Sequence, residues 1–177
     1  MFALVKNDNS IKLFQPYTIW EDKNGVQYSA ETLLTMSVDQ KQDLGIYDVA
    51  YGTAPDPRFF NATQEVSFDS QQKIVKIAYT PVAKSLEDSD DSEFPNFGLK
   101  TQWIKQIKAT ATSLLSVTNW MIVRKIERNI DIPAATVAYR AAVVTECDRL
   151  EAAITAATTV EELATAVDSA NWPVVAE

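Results

Sequence analysis

The residues best suited to chemistry stand in one run, Asp88-Ser89-Asp90-Asp91-Ser92, followed by Glu93. Alternating oxygen ligands are how a calcium loop begins. Such a loop then needs glycine at its sixth position for the sharp turn and glutamate at its twelfth for bidentate coordination. This chain has Glu93 and Leu99 there. The run therefore reads as a solvated linker, with a second use as a lure for a basic partner surface. The chain has no histidine. That removes the usual general base near neutral pH and the commonest transition-metal ligand. Ser-His-Asp and Cys-His arrangements are excluded on the same ground. Four glycines, never clustered, make no phosphate-cradling loop. The single cysteine, Cys147, falls on an apolar helical stripe and reads as a small buried hydrophobe. It allows no internal disulfide. The expectation is a non-enzymatic protein with no catalytic residue, no cofactor and no metal.

What remains is recognition. Four Trp, six Tyr and seven Phe supply apolar area for a core or an interface. Phe14, Tyr17 and Trp20 crowd around Pro16, and one or two of them could stand exposed as anchors. In the second half, Trp120, Tyr139 and Trp172 lie near helix ends or on a helical stripe, positions that also suit a core. Arg124 and Arg140 are less easily explained by packing. They could pair with Glu127 or Glu146, or with carboxylates of a partner. The net charge is −8, and Glu87, Asp88, Asp90, Asp91 and Glu93 account for most of it. Nucleic acid is a poor partner, because phosphate binding needs clustered Lys and Arg. No apolar run reaches the ~18 residues of a membrane span, and Met1–Lys6 is too short for a signal peptide core. The expectation is a soluble, intracellular chain.

These side chains must be positioned by two kinds of element. Residues 1–83 read as a small antiparallel β domain. Phe2–Lys6 and Ile11–Phe14 flank a polar turn, and Glu65–Asp69 and Ile74–Thr80 flank another, two hairpin signals. Between them Ser37-x-x-Gln40 has the form of a capping box, a helix there could stop at Gly45, and Ile46–Ala50 resumes as a strand. Residues 84–97 read as an acidic linker. Residues 98–177 read as helical. Leu99, Trp103, Ile107, Ala111 and Leu114 make one stripe, and Tyr139, Val143, Cys147, Leu150 and Ile154 step by 4, 4, 3 and 4 to make another. Asn119 can cap a short helix starting at Trp120, Pro133 marks the start of the second long helix, and Thr159-x-x-Glu162 caps a last short one. The fold class is α+β: a small antiparallel β domain, then an antiparallel helical hairpin with short flanking helices.

One ordered set of residues carries more than periodicity. Thr118-Asn119-Trp120, Arg124, Pro133, Tyr139-Arg140 and Asn171-Trp172-Pro173 follow one another in a pattern that resembles the helical C-terminal region of tailed-bacteriophage tail fibre assembly proteins. The resemblance covers roughly residues 99–173. Leu44-Gly45-Ile46-Tyr47-Asp48-Val49 also resembles the small N-terminal β domain of phage tail-associated proteins. The resemblance implies a chaperone that binds a trimeric phage tail fibre protein and assists its folding or attachment, made in the host cytoplasm. The alternative it implies is a structural virion component, an adaptor in contact with fibre or baseplate proteins that stays in the virion tail. The residues it marks for partner binding are Trp120, Arg124, Tyr139, Arg140 and Trp172, with Tyr17 and Trp20 added from the aromatic cluster of the β half. It involves neither nucleic acid nor a membrane.

Overall fold

The computed structural model describes residues 1–89 and 96–174. The chain divides into two compact units, Met1–Val82 and Ala83–Glu177.

The first unit opens with β1 (Phe2–Val5) and β2 (Ile11–Phe14), paired antiparallel from Phe2–Phe14 to Val5–Ile11. Their turn closes because Asp8 Oδ1 accepts from Ser10 N at 2.9 Å and Asn9 takes the left-handed φ of 64°. Next come β3 (Trp20–Glu21), β4 (Gln27–Tyr28), α1 (Ala30–Thr35) and α2 (Val38–Asp43). The Ser37–Gln40 capping box forms as expected. Gly45 ends α2 at φ 84°, where an added Cβ would lie 2.7 Å from the Val5 carbonyl oxygen. Only glycine fits both that φ and that approach. Helix α1 was not legible in the sequence: it spans six residues with one buried side chain, Leu33, too short to show a stripe.

Then follow β5 (Ile46–Tyr51), β6 (Phe60–Asp69) and β7 (Ile74–Ala83). The main sheet has the order β2-β1-β5-β7-β6. It is mixed, not purely antiparallel as the hairpin signals suggested, because β5 and β7 run parallel over Val49–Val75 to Tyr51–Ile77. The cause is β6: it takes the sheet edge, and β7 returns from it in the direction of β5. The β6–β7 hairpin is also longer than the alternation indicated, and β7 runs through Pro81. A proline is tolerated there because β5 pairs β7 only as far as Ile77, so no ladder bond needs its missing N–H. The core of this unit is Leu4, Trp20, Leu33 and Ile46, with Phe2, Phe14 and Tyr28 packed against it.

The second unit holds α3 (Leu99–Ser116), α4 (Asn119–Arg128), α5 (Ala134–Ala156) and α6 (Val160–Asp168). Helices α3 and α5 lie antiparallel: Tyr139 OH reaches the Leu114 carbonyl, and further along Lys108 Nζ meets Glu151 at 2.7 Å. The whole α5 stripe is buried, from Tyr139 to Ile154. Burying each large aliphatic side chain stabilises by about 1.5–3 kcal/mol, so this stripe dominates the unit. The Thr159–Glu162 capping box starts α6. Asn119 does not cap α4. Thr118 holds that position and Asn119 is the first helical residue, because the Asn119 side chain is engaged elsewhere.

The acidic segment behaves differently from a free linker wherever it is described. Its calcium-like half, from Asp90 to Glu93, lies outside the described residues. Residues 85–89 fold back on the start of α3. Ser85 and Leu86 carbonyls accept from Leu99 N and Lys100 N at 2.9 and 3.1 Å. Asp88 accepts from Gly98 N at 2.7 Å and from Thr101 Oγ1 at 3.0 Å. These bonds satisfy N–H groups that a helix start leaves orphaned, and they put a carboxylate at the positive end of the helix dipole.

Candidate functional site

Among the described residues no group of three or more His, Cys, Asp or Glu could hold a metal ion. No helix among them is long and apolar enough to cross a membrane. Cys147 is buried, and burial pushes its thiol up, with Asp148 and Glu151 adding to the shift. A thiol so held is a poor nucleophile. The carboxylates held below their usual range have local causes. The backbone N–H of Val26 lowers Asp22, with Asn24 N and the Tyr28 hydroxyl assisting, and this fixes the β3–β4 turn. Arg149 lowers Glu146, which also accepts from Asn171 N at 2.7 Å and so ties the C-terminal segment to α5.

The seven residues marked for binding separate into two groups. Four of them support the fold. Trp20 is 4% exposed, stacks on Tyr28 with ring centroids 4.5 Å apart, and donates from Nε1 to the Ser29 carbonyl. Tyr139 is buried on the α5 stripe, and Trp172 packs against the cluster of Ala111, Tyr139, Val143 and Cys147. Arg140 is the clearest correction. Its Nη1 donates to the Leu115 carbonyl at 2.8 Å, to Thr118 Oγ1 at 2.6 Å and to Asn119 Oδ1 at 3.1 Å. It therefore closes the C-terminal end of α3 and anchors the start of α4 on α5. A cation suits that place, where helix carbonyls lack partners.

Of the other three, Tyr17 and Trp120 stand at the surface and Arg124 is half-buried beside Trp120. Tyr17 is 79% exposed, on the connection between β2 and β3. Trp120 is 54% exposed on α4, and the Arg124 guanidinium lies over its ring at 4.8 Å. Arg124 Nε is buried with no hydrogen-bond partner among the described residues. Sequence reasoning missed two neighbours. Ile19, 76% exposed, lies two residues from Tyr17, and Ile126, 78% exposed, extends the row of Trp120 and Val123 along α4. A signal for the second was present: α4 has apolar residues on both sides, Met121-Ile122 and Trp120-Val123-Ile126, and a ten-residue helix on a small bundle covers only one side.

Comparison with protein-family models, with curated proteins and with solved structures finds no match to this chain.

Proposed function

We propose that the chain is a phage tail fibre assembly protein, a non-enzymatic chaperone that binds the tail fibre and assists its folding or attachment. The ordered signals from Thr118 to Pro173 support the family. The observation that carries the binding reading is the Tyr17–Ile19 turn. Two large side chains stand almost fully exposed on a connection that is itself held firm: Thr18 Oγ1 donates to the Gln15 carbonyl at 2.9 Å. Apolar anchors on a preformed turn lose little entropy on binding.

Co-expression with the fibre protein tests this. The chain should raise the yield of soluble, trimeric fibre and stay bound during purification. Replacing Tyr17 and Ile19 together by serine should leave the fold intact and weaken capture by roughly 10-fold or more. Unchanged capture would move the site elsewhere, and unchanged fibre yield would remove the assembly role. Counting copies in purified mature particles then separates a chaperone that leaves from a virion component that stays.

A further inference from the structure

The turn between β3 and β4 carries the only Asn-Gly pair of the chain, Asn24-Gly25. Both residues are exposed. Asparagine is a thermolabile residue. It is most labile before glycine, because no Cβ hinders the following backbone nitrogen and glycine gives that nitrogen freedom to turn. The nitrogen attacks the side-chain amide carbon, and a succinimide ring forms. The bond from Cγ to the amide nitrogen breaks, and ammonia leaves with the proton of the glycine N–H. Water then opens the ring at either carbonyl, to aspartate or to isoaspartate.

In the folded turn this attack is obstructed. Gly25 N donates to the Asp22 carbonyl at 3.0 Å. To meet Cγ, that nitrogen must swing about the Asn24 Cα–C bond, away from its acceptor. The Asp22 carboxylate is buried beneath the turn, and its Oδ1 accepts from Asn24 N at 2.8 Å and from Val26 N at 2.9 Å. The peptide units on both sides of Asn24-Gly25 are thus held to one residue. Asp22 N also donates to the Val26 carbonyl at 2.9 Å, and Lys23 N to the Leu44 carbonyl at 3.0 Å.

We propose that Asn24 is a latent deamidation site that the folded turn guards through Asp22. Conversion follows local opening of the β3–β4 turn. Ring opening to isoaspartate routes the main chain through the Asn24 side-chain carbon and lengthens it. The Trp20–Tyr28 and Glu21–Gln27 pairs are set across this turn, and Trp20 belongs to the core. A chain that has opened and converted therefore cannot rebuild the turn, and the modification is a one-way mark of opening.

The test incubates the full chain in warm, mildly alkaline buffer. Conversion at residue 24 is followed by peptide mass and by isoaspartyl methyl transfer. A free peptide of residues 20–28 sets the unguarded rate. The native chain should convert at least about 10-fold more slowly than the peptide. Asp22→Ala should speed conversion in the folded chain by about 10-fold, with circular dichroism reporting the fold. Asp22→Asn keeps an oxygen for both N–H groups and should stay near the native rate. A native chain as fast as the peptide, a folded Asp22→Ala no faster than native, or Asp22→Asn as fast as Asp22→Ala would each overturn the proposal. Where Asp22→Ala does not fold, amide exchange in the native chain decides: slow exchange at Gly25 N must accompany slow conversion, and fast exchange with slow conversion overturns the guard.

Discussion

Arg124 and Arg140 look alike in the sequence and differ in what they hold. Arg140 supplies one nitrogen to three acceptors at the α3–α4 junction, one of them on the buried Thr118. Truncating it takes a charged donor from the buried Thr118 hydroxyl oxygen and from the Leu115 carbonyl, which keeps Thr118 N and Oγ1 as donors. Hydrogen bonds to a charged group contribute about 1.5–3 kcal/mol. Arg140→Ala should therefore lower the stability of the helical unit by about 2 kcal/mol. Arg124→Ala should change it by no more than about 0.5 kcal/mol, since Arg124 holds no other element in place. Urea unfolding followed by circular dichroism measures both. Equal effects would refute the distinction between an arginine that joins helix ends and one that rests on its own helix. The sequence could not supply that distinction. Whether an arginine finds its acceptors within the chain depends on which helix ends meet, and spacing along one helix does not report that.

At the scale of elements, the start of α3 depends on a segment that composition marks as free. Gly98 precedes the helix, and a Cβ there would lie 2.4 Å from the Leu86 carbonyl oxygen. The close approach lets Asp88 reach Gly98 N and Thr101. Asp88→Ala should cost about 1 kcal/mol, in the range of a lost N-terminal cap. Hydrogen exchange should show faster exchange in the first turn of α3 and little change in α5; uniform protection would mean that Asp88 does not brace the helix. The elements that were legible are those whose signal is long or chemically specific. The α5 stripe repeats over five buried residues, and both capping boxes need two side chains at fixed spacing, so chance rarely imitates them. The elements that were not legible lack such repetition. Helix α1 buries one residue. The parallel pairing of β5 with β7 is set by which strand takes the edge, a property of the sheet. The back-folded strap uses backbone carbonyls of Ser85 and Leu86, whose roles no side chain announces. The candidate surface divides the same way. Exposed Tyr17 was named from residue type and Trp120 from the family resemblance, but Ile19 and Ile126 were missed because an exposed isoleucine looks in sequence like a buried one.

At the scale of the molecule, two compact units carry two different exposed surfaces, the Tyr17–Ile19 turn in the first and the α4 row in the second. Each unit has its own core, Leu4-Trp20-Leu33-Ile46 in one and Ala111-Tyr139-Val143-Cys147 in the other. A unit with its own core can fold alone, although one of this size has a stability of only a few kcal/mol. Fragments 1–82 and 83–177 should therefore each show a cooperative thermal transition. Their activities should separate as well. If the turn holds the fibre, 1–82 should retain fibre capture and 83–177 should lose it. Capture by the helical fragment alone would shift fibre recognition to Trp120 and its neighbours on α4. Capture that needs both fragments, each folded, would mean that the fibre spans the two units, and single substitutions at either surface would then weaken binding only in part.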